Sequence, residues 1–94
     1  MRSNCEWDER KAATNIRKHG VSFQEAITVF QDELSVTFND LTHSAEEERF
    51  IDIGRSENGN ILTVVYVERK NKIRIISSRK ATRTERKRYE SQDD

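Results

Sequence analysis

Apolar positions keep helical spacing through Phe30 and strand spacing from Leu34 onwards. Before the helical part, Cys5 to Trp7 places an aromatic immediately ahead of Asp8, which predicts a short edge strand with Trp7 in the core. Asp8 then caps a first helix running about to Lys18, with Glu9 where the helix dipole favours an anion. Ala12, Ala13 and Ile16 share one side of that helix. Arg17, Lys18 and His19 bring positive charge to its end, and Gly20 supplies a left-handed stop. Ser22 and Glu25 are spaced as a capping box. Phe23, Ala26, Ile27 and Phe30 fall at i, i+3, i+4 and i+7, the stripe of a second short helix.

Leu34, Val36 and Phe38 alternate with Ser35, Thr37 and Asn39, which predicts a strand with one buried face. Asp40 to Glu48 is a polar connection in which Ser44 and Glu47 are spaced to cap one helical turn. Phe50 to Gly54 resumes as a strand with Ile51 and Ile53 on the same side, and Glu57, Asn58 and Gly59 are hairpin turn residues. Ile61 to Val67 is apolar on both parities apart from Thr63, as a central strand requires. Lys70 to Lys72 makes the next turn and Ile73 to Ser78 the last strand. Thr82 and Glu85 then cap a basic helix ending near Tyr89. The expected architecture is an α+β single domain over residues 1–94: two N-terminal helices, an antiparallel sheet of about four to five strands, and a basic C-terminal helix.

Composition sharpens this. Hydrophobic content of 33% against 36% charged implies a thin core, but the grouping of apolar residues into periodic runs argues for a folded chain. A net charge of zero conceals sorting. The twenty residues from Arg69 to Arg88 carry ten Lys or Arg against Glu85 alone, whereas Asp32 to Glu57 holds eight Asp or Glu against Arg49 and Arg55. Such a basic run points to a polyanion, above all nucleic acid, because guanidinium groups grip phosphate bidentately; the plainer alternative is a solvated helix face. The single cysteine, Cys5, cannot form an intrachain disulfide and fits a reducing compartment, and no Cys/His spacing suits a structural zinc. With no apolar run of membrane-spanning length and no signal-like stretch in MRSNCEWDER, the expectation is an unanchored cytoplasmic protein. No repeat or proline marks an internal boundary.

Three pieces then fall together: WDERKAATNIRKHGVSFQEAITVF from Trp7, with its W-D-x-x-K and K-H-G-V-x-F-x-E-A signals, EERFIDIGRS from Glu47, and IRIISSRKATRTERKRYE from Ile73, with its I-R-I-I-S-x-R signal. In this order and spacing the chain resembles the BrnT family of toxins from bacterial type II toxin-antitoxin systems. The resemblance covers almost the whole chain. It implies a RelE-like α+β fold, a ribonuclease that cleaves RNA and arrests translation, and a BrnA-type antitoxin with a ribbon-helix-helix portion through which DNA would be met. A dimeric antitoxin of that type implies a possible hetero-oligomer. Lys18, His19, Arg74, Arg79 and Tyr89 match the family's motifs, without a role being fixed for any of them.

Metal-independent RNA cleavage uses the ribose 2′-hydroxyl as nucleophile, so it needs a proton acceptor, a proton donor and cations around the phosphate. No cofactor or metal is expected; the acidic run Glu46 to Glu48 reads better as solvated surface or antitoxin contact than as a cation site. Arg55, Arg74 and Arg79 are the first choices for a phosphate clamp, one at a strand end before a turn, one within the last strand and one leaving it. Each has a structural ion pair as its alternative, and for Arg74 that alternative is Asp52. His19 is the imidazole with a useful setting, though a helix-end role explains it as well. Tyr89 is a proton donor or stacking group, or else a core tyrosine; Glu85 is a base, or else only a cap. Lys18, Lys80, Arg83, Arg86 and Lys87 complete the RNA-binding set. A reading from another class is a non-catalytic nucleic-acid-binding or co-repressor module acting with its antitoxin.

Overall fold

The computed structural model describes residues 4–40 and 48–92; the helical turn expected from Ser44 and Glu47 lies outside them. The elements are β1 (Cys5–Glu6), α1 (Glu9–His19), α2 (Phe23–Ile27) continuing into a 3-10 turn (Thr28–Gln31), β2 (Val36–Asn39), β3 (Arg49–Arg55), β4 (Ile61–Arg69), β5 (Lys72–Lys80) and α3 (Arg83–Ser91). Short-range chemistry sets the helix ends. Asp8 accepts from the Arg10 and Lys11 amides, and Gly20 closes α1 at φ 71°. Ser22 accepts from the Glu25 amide, but the Glu25 carboxylate reaches away to the β3–β4 turn, so this capping box is only half made.

Strands β2 to β5 form an antiparallel meander, and β1 adds to the far side of β5 in parallel, giving the order β1-β5-β4-β3-β2. The expected central strand is the middle one. Lys70 and Asn71, both at positive φ, make the two-residue turn between β4 and β5, the handedness that suits twisted strands. Tyr66 pairs with Ile75 while Val65 pairs with Ser77, leaving Ile76 as a bulge. The bulge switches parity, so Ile73 and Ile75 face the helices before it and Ser78 after it.

Two cores result, one on each face of the sheet. Beneath α1 and α2, Phe23, Ala26, Val29, Leu62, Val64, Tyr66 and Ile75 are buried. Tyr66 is flanked by the Phe30 and Phe50 rings at 5.1 and 5.6 Å, its hydroxyl donates to Asp52 Oδ1 at 2.9 Å, and half-buried Trp7 meets Phe23 edge-on. On the other face, Ile53, Ile61 and Tyr89 form a smaller cluster with Val36, Phe38 and Ala81. Gly54 permits the close approach of the 3-10 turn, since a Cβ there would lie 2.8 Å from Val29 Cγ1.

The structure corrects some assignments. The buried side of α1 runs through Ala12 and Asn15, not Ala13 and Ile16; Ile16 is 49% exposed. The reason is polar: the Asn15 amide donates to the carbonyls of Val21 and Ser78 and accepts from the Ser78 amide, occupying the outer edge of β5 where β1 has ended. Leu34 precedes β2 and is exposed, because the chain turns on Asp32, which accepts from the Leu34 amide.

Candidate functional site

The N-terminus of α3 is held by one carboxylate. Thr82 and Glu85 make a complete capping box, and the same Glu85 accepts from both terminal nitrogens of Arg79, at 2.8 and 2.9 Å, and from the Thr63 hydroxyl at 2.9 Å. The Arg79 hydrogen bonds, followed by the Thr82 amide and Thr63, outweigh burial and hold Glu85 down to about 2. At neutral pH Glu85 is therefore an anion with little appetite for a proton. It is a clamp rather than a general base, and it already occupies the bidentate edge of Arg79.

The other end of α3 is tied by Tyr89, buried in the smaller core with its hydroxyl donating to Asp32 Oδ2 at 2.6 Å. Asp32 also accepts from the amides of Arg55 (2.8 Å) and Leu34 (2.9 Å). Burial works against the Asp32 anion, yet these three donors and the Arg55 charge keep its carboxyl below the usual range. Burial, then the bond to Asp32, pushes the Tyr89 phenol up, while Arg55 acts in the opposite direction. Tyr89 thus keeps its proton at neutral pH and directs it to Asp32.

Between these ties lies a cavity of about 240 Å³ lined by Arg55, Lys80 and Arg86 together with Gly59, Asn60 and Ile61. Its wall is the β3–β4 turn, fixed from α2: Glu25 accepts from the Ser56 hydroxyl at 2.6 Å and the Asn60 amide at 2.8 Å. Burial opposes the Glu25 anion, but those bonds, Asn58 and the charge of Lys80 lower its carboxyl on balance. Arg55 is anchored by its own amide on Asp32 and by Nη1 donating to the Gly59 carbonyl at 3.2 Å. Arg86 is 3.9 Å from Glu90, both well exposed. None of the described residues lining the cavity is a carboxylate; Asp32, Glu25 and Glu90 act on Arg55, Lys80 and Arg86 from behind its wall, so the donors that face the opening are cationic and suit a phosphate.

The expected site residues separate into groups. Arg55, Lys80 and Arg86 meet at this cavity, with Tyr89 behind Arg55. Arg79 projects from the same face two registers along and two strands across, opposite Thr63 where Arg55 is opposite Ile61, which separates their backbones by about 12 Å. Arg74 is not brought in. Opposite Val67, it lies four further registers along, about 13 Å, and pairs at 3.2 Å with Glu6 of β1 rather than with Asp52, which bonds Tyr66 within the opposite core. Lys18 and His19 line a separate groove along α1. Arg83 and Lys87 are exposed on α3 outside the cavity lining. The three-arginine clamp expected from sequence therefore does not assemble: Arg74 and Arg79 each hold a carboxylate of their own. Asp32 and Glu25, which place Arg55 and its turn, were missed, since a lone acid at a helix end carries no periodic signal and Glu25 was absorbed by its capping role.

The fold is a small α+β domain of the kind seen in a ribonuclease toxin: the crystal structure of the Brucella abortus ribonuclease toxin BrnT is similar to it with a TM-score of 0.65 and 25% identity, over 86% of this chain and 100% of that one. Comparison with curated protein sequences gives no match. Residues 7–85 match the family described as the ribonuclease toxin BrnT of type II toxin-antitoxin systems, and the chain belongs to that family. Among the described residues no helix is long and apolar enough to cross a membrane.

Proposed function

We propose that the chain is an endoribonuclease that cleaves RNA without a metal ion, inhibits translation in the cytoplasm, and is neutralised by a BrnA-type ribbon-helix-helix antitoxin covering its basic face. The observation that carries this is the convergence of Arg55, Lys80 and Arg86 on one cavity without an opposing carboxylate in its lining. In this reading the scissile phosphate sits among the three cations. The ribose 2′-oxygen, losing its proton to solvent water, bonds to phosphorus as the P–O5′ bond breaks, and the departing 5′-oxygen takes a proton from water. A 2′,3′-cyclic phosphate is left, and charge developing on the phosphate oxygens is met by donors already in place. Arg79, held by Glu85, contributes field from the side. Among the described residues no imidazole lines this cavity, and neither Glu85 nor Tyr89 is set to exchange protons with a substrate, so the proposal rests on electrostatic stabilisation before acid-base catalysis.

The test is to incubate free protein with RNA in chelator, with and without ribosomes, and to map the ends. Products with 2′,3′-cyclic phosphate or 3′-phosphate termini are expected, and Arg55→Ala should lower turnover by about 100- to 1,000-fold, the usual effect of removing one preorganised charge donor. Intact RNA in both assays, from protein with a native melting transition, would defeat the reading and favour a binding module.

A further inference from the structure

A second cationic groove, of about 270 Å³, runs between α1 and the bulged stretch of β5, with Arg10, Lys11, Thr14, Lys18, His19 and Ser77 among its lining residues. We infer that this groove holds the sugar-phosphate backbone of the RNA beyond the cleaved bond, as a positioning track separate from the Arg55 cavity. The inference rests on the family's action on RNA, and not on where the cut is made.

Three observations support it. No carboxylate is among the lining residues, and Arg10, Lys11 and Lys18 form no ion pair with another described residue, unlike Arg74, Arg79 and Arg86. Asp8, the nearby acid, accepts from the backbone amides of Arg10 and Lys11, and its charge acts on the Lys11 ammonium only at longer range. Second, Arg10 and Lys11 occupy the first turn of α1, where the helix dipole disfavours cations, so helix stability does not account for them. Third, the two positive sites share one strand: the groove reaches Ile76 and Ser77 and the cavity reaches Lys80, three residues or about 10 Å further along β5. The groove opens on the α1 side of β5 and the cavity lies at the strand's C-terminal end, so a single strand of RNA would meet both by running along the outer edge of β5. The edge itself is unsuited to pairing with a partner's strand, since Asn15 already bonds both backbone groups of Ser78. That favours a backbone of phosphates over an added peptide strand.

The experiment uses the full chain and 2′-O-methyl oligonucleotides, which cannot be cut, so binding is read even if the proposed cleavage is wrong. Anisotropy titrations over a range of salt compare the wild type with an Arg10→Gln, Lys11→Gln, Lys18→Gln variant, in which exposed helical residues are exchanged for another good helix former. For a 12-mer the variant should bind at least about tenfold more weakly, with a log-log salt slope shallower by about 2, the amount expected for three lost phosphate contacts on a single strand. A trinucleotide should bind both proteins alike. An unchanged slope with the 12-mer overturns the inference, as does an equal loss with the trinucleotide, which would place these cations at the cavity. Weakened antitoxin binding with unchanged RNA binding would mark the groove as a protein contact and overturn it too.

Discussion

Beneath α1 and α2 the sheet is covered by wholly buried side chains such as Phe23, Leu62, Val64 and Tyr66, whereas on the α3 face a three-residue cluster is supplemented by two carboxylates. The difference follows from the helices. The second helix carries an apolar stripe; α3 buries only Tyr89 among its nine residues, because most of the others are charged. A helix kept that basic has little apolar area with which to dock, so it is fastened at both ends by anions, Glu85 at Thr82 and Asp32 at Tyr89. One face sets whether the chain folds; the other sets where its cations stand.

That contrast is open to attack by mutation. Phe23→Ala, in the larger core, should cost about 3–5 kcal/mol, much of the stability of a domain this size, and a urea melt would read it; a loss under about 1 kcal/mol would mean the helix-covered face is not the main support. Tyr89→Phe removes one bond to a charged acceptor without opening a cavity and should cost about 1.5–3 kcal/mol. Amide exchange in α3 should rise more than in α1.

Glu85→Gln should cost about 1–2 kcal/mol at neutral pH, less than the full shift implies because Arg79 is partly solvated. The unfolded carboxyl titrates near 4.5 and the folded one at about 2. The contribution of Glu85 is thus complete above about pH 4.5 and lost as pH falls towards 2, so the melting curves of wild type and variant should converge over that interval. A gap that persists at pH 2 would assign the loss to something other than the Glu85 charge. Arg86→Gln should change stability by less than about 0.5 kcal/mol, its pair with Glu90 being long and exposed. Its effect belongs in RNA turnover.

Much of the fold was legible because caps, turns and alternation are decided within a few residues. Asp8, Gly20, Thr82 with Glu85, and Lys70 with Asn71 all act locally and fall where expected. The site was less legible because its partners are distant in the chain: Arg74 with Glu6, Tyr89 with Asp32, and Ser56 with Glu25. The bulge at Ile76 has no signature in an apolar run, yet it sets which of the last strand's residues face α1. Ile16 misled for a similar reason, since an apolar stripe competed with one asparagine whose value depends on Ser78, 63 positions away.

That long-distance bond bears on when this toxin becomes itself during synthesis. The first strand lies against the last, and the first helix is secured to residue 78, so a growing chain lacking residues 72–80 has neither a closed sheet nor a settled N-terminal helix. Arg79 and Lys80 emerge at the same moment as the strand that orders everything before them. A chain cut short before residue 79 therefore lacks both those cations and the ordered strand that presents them.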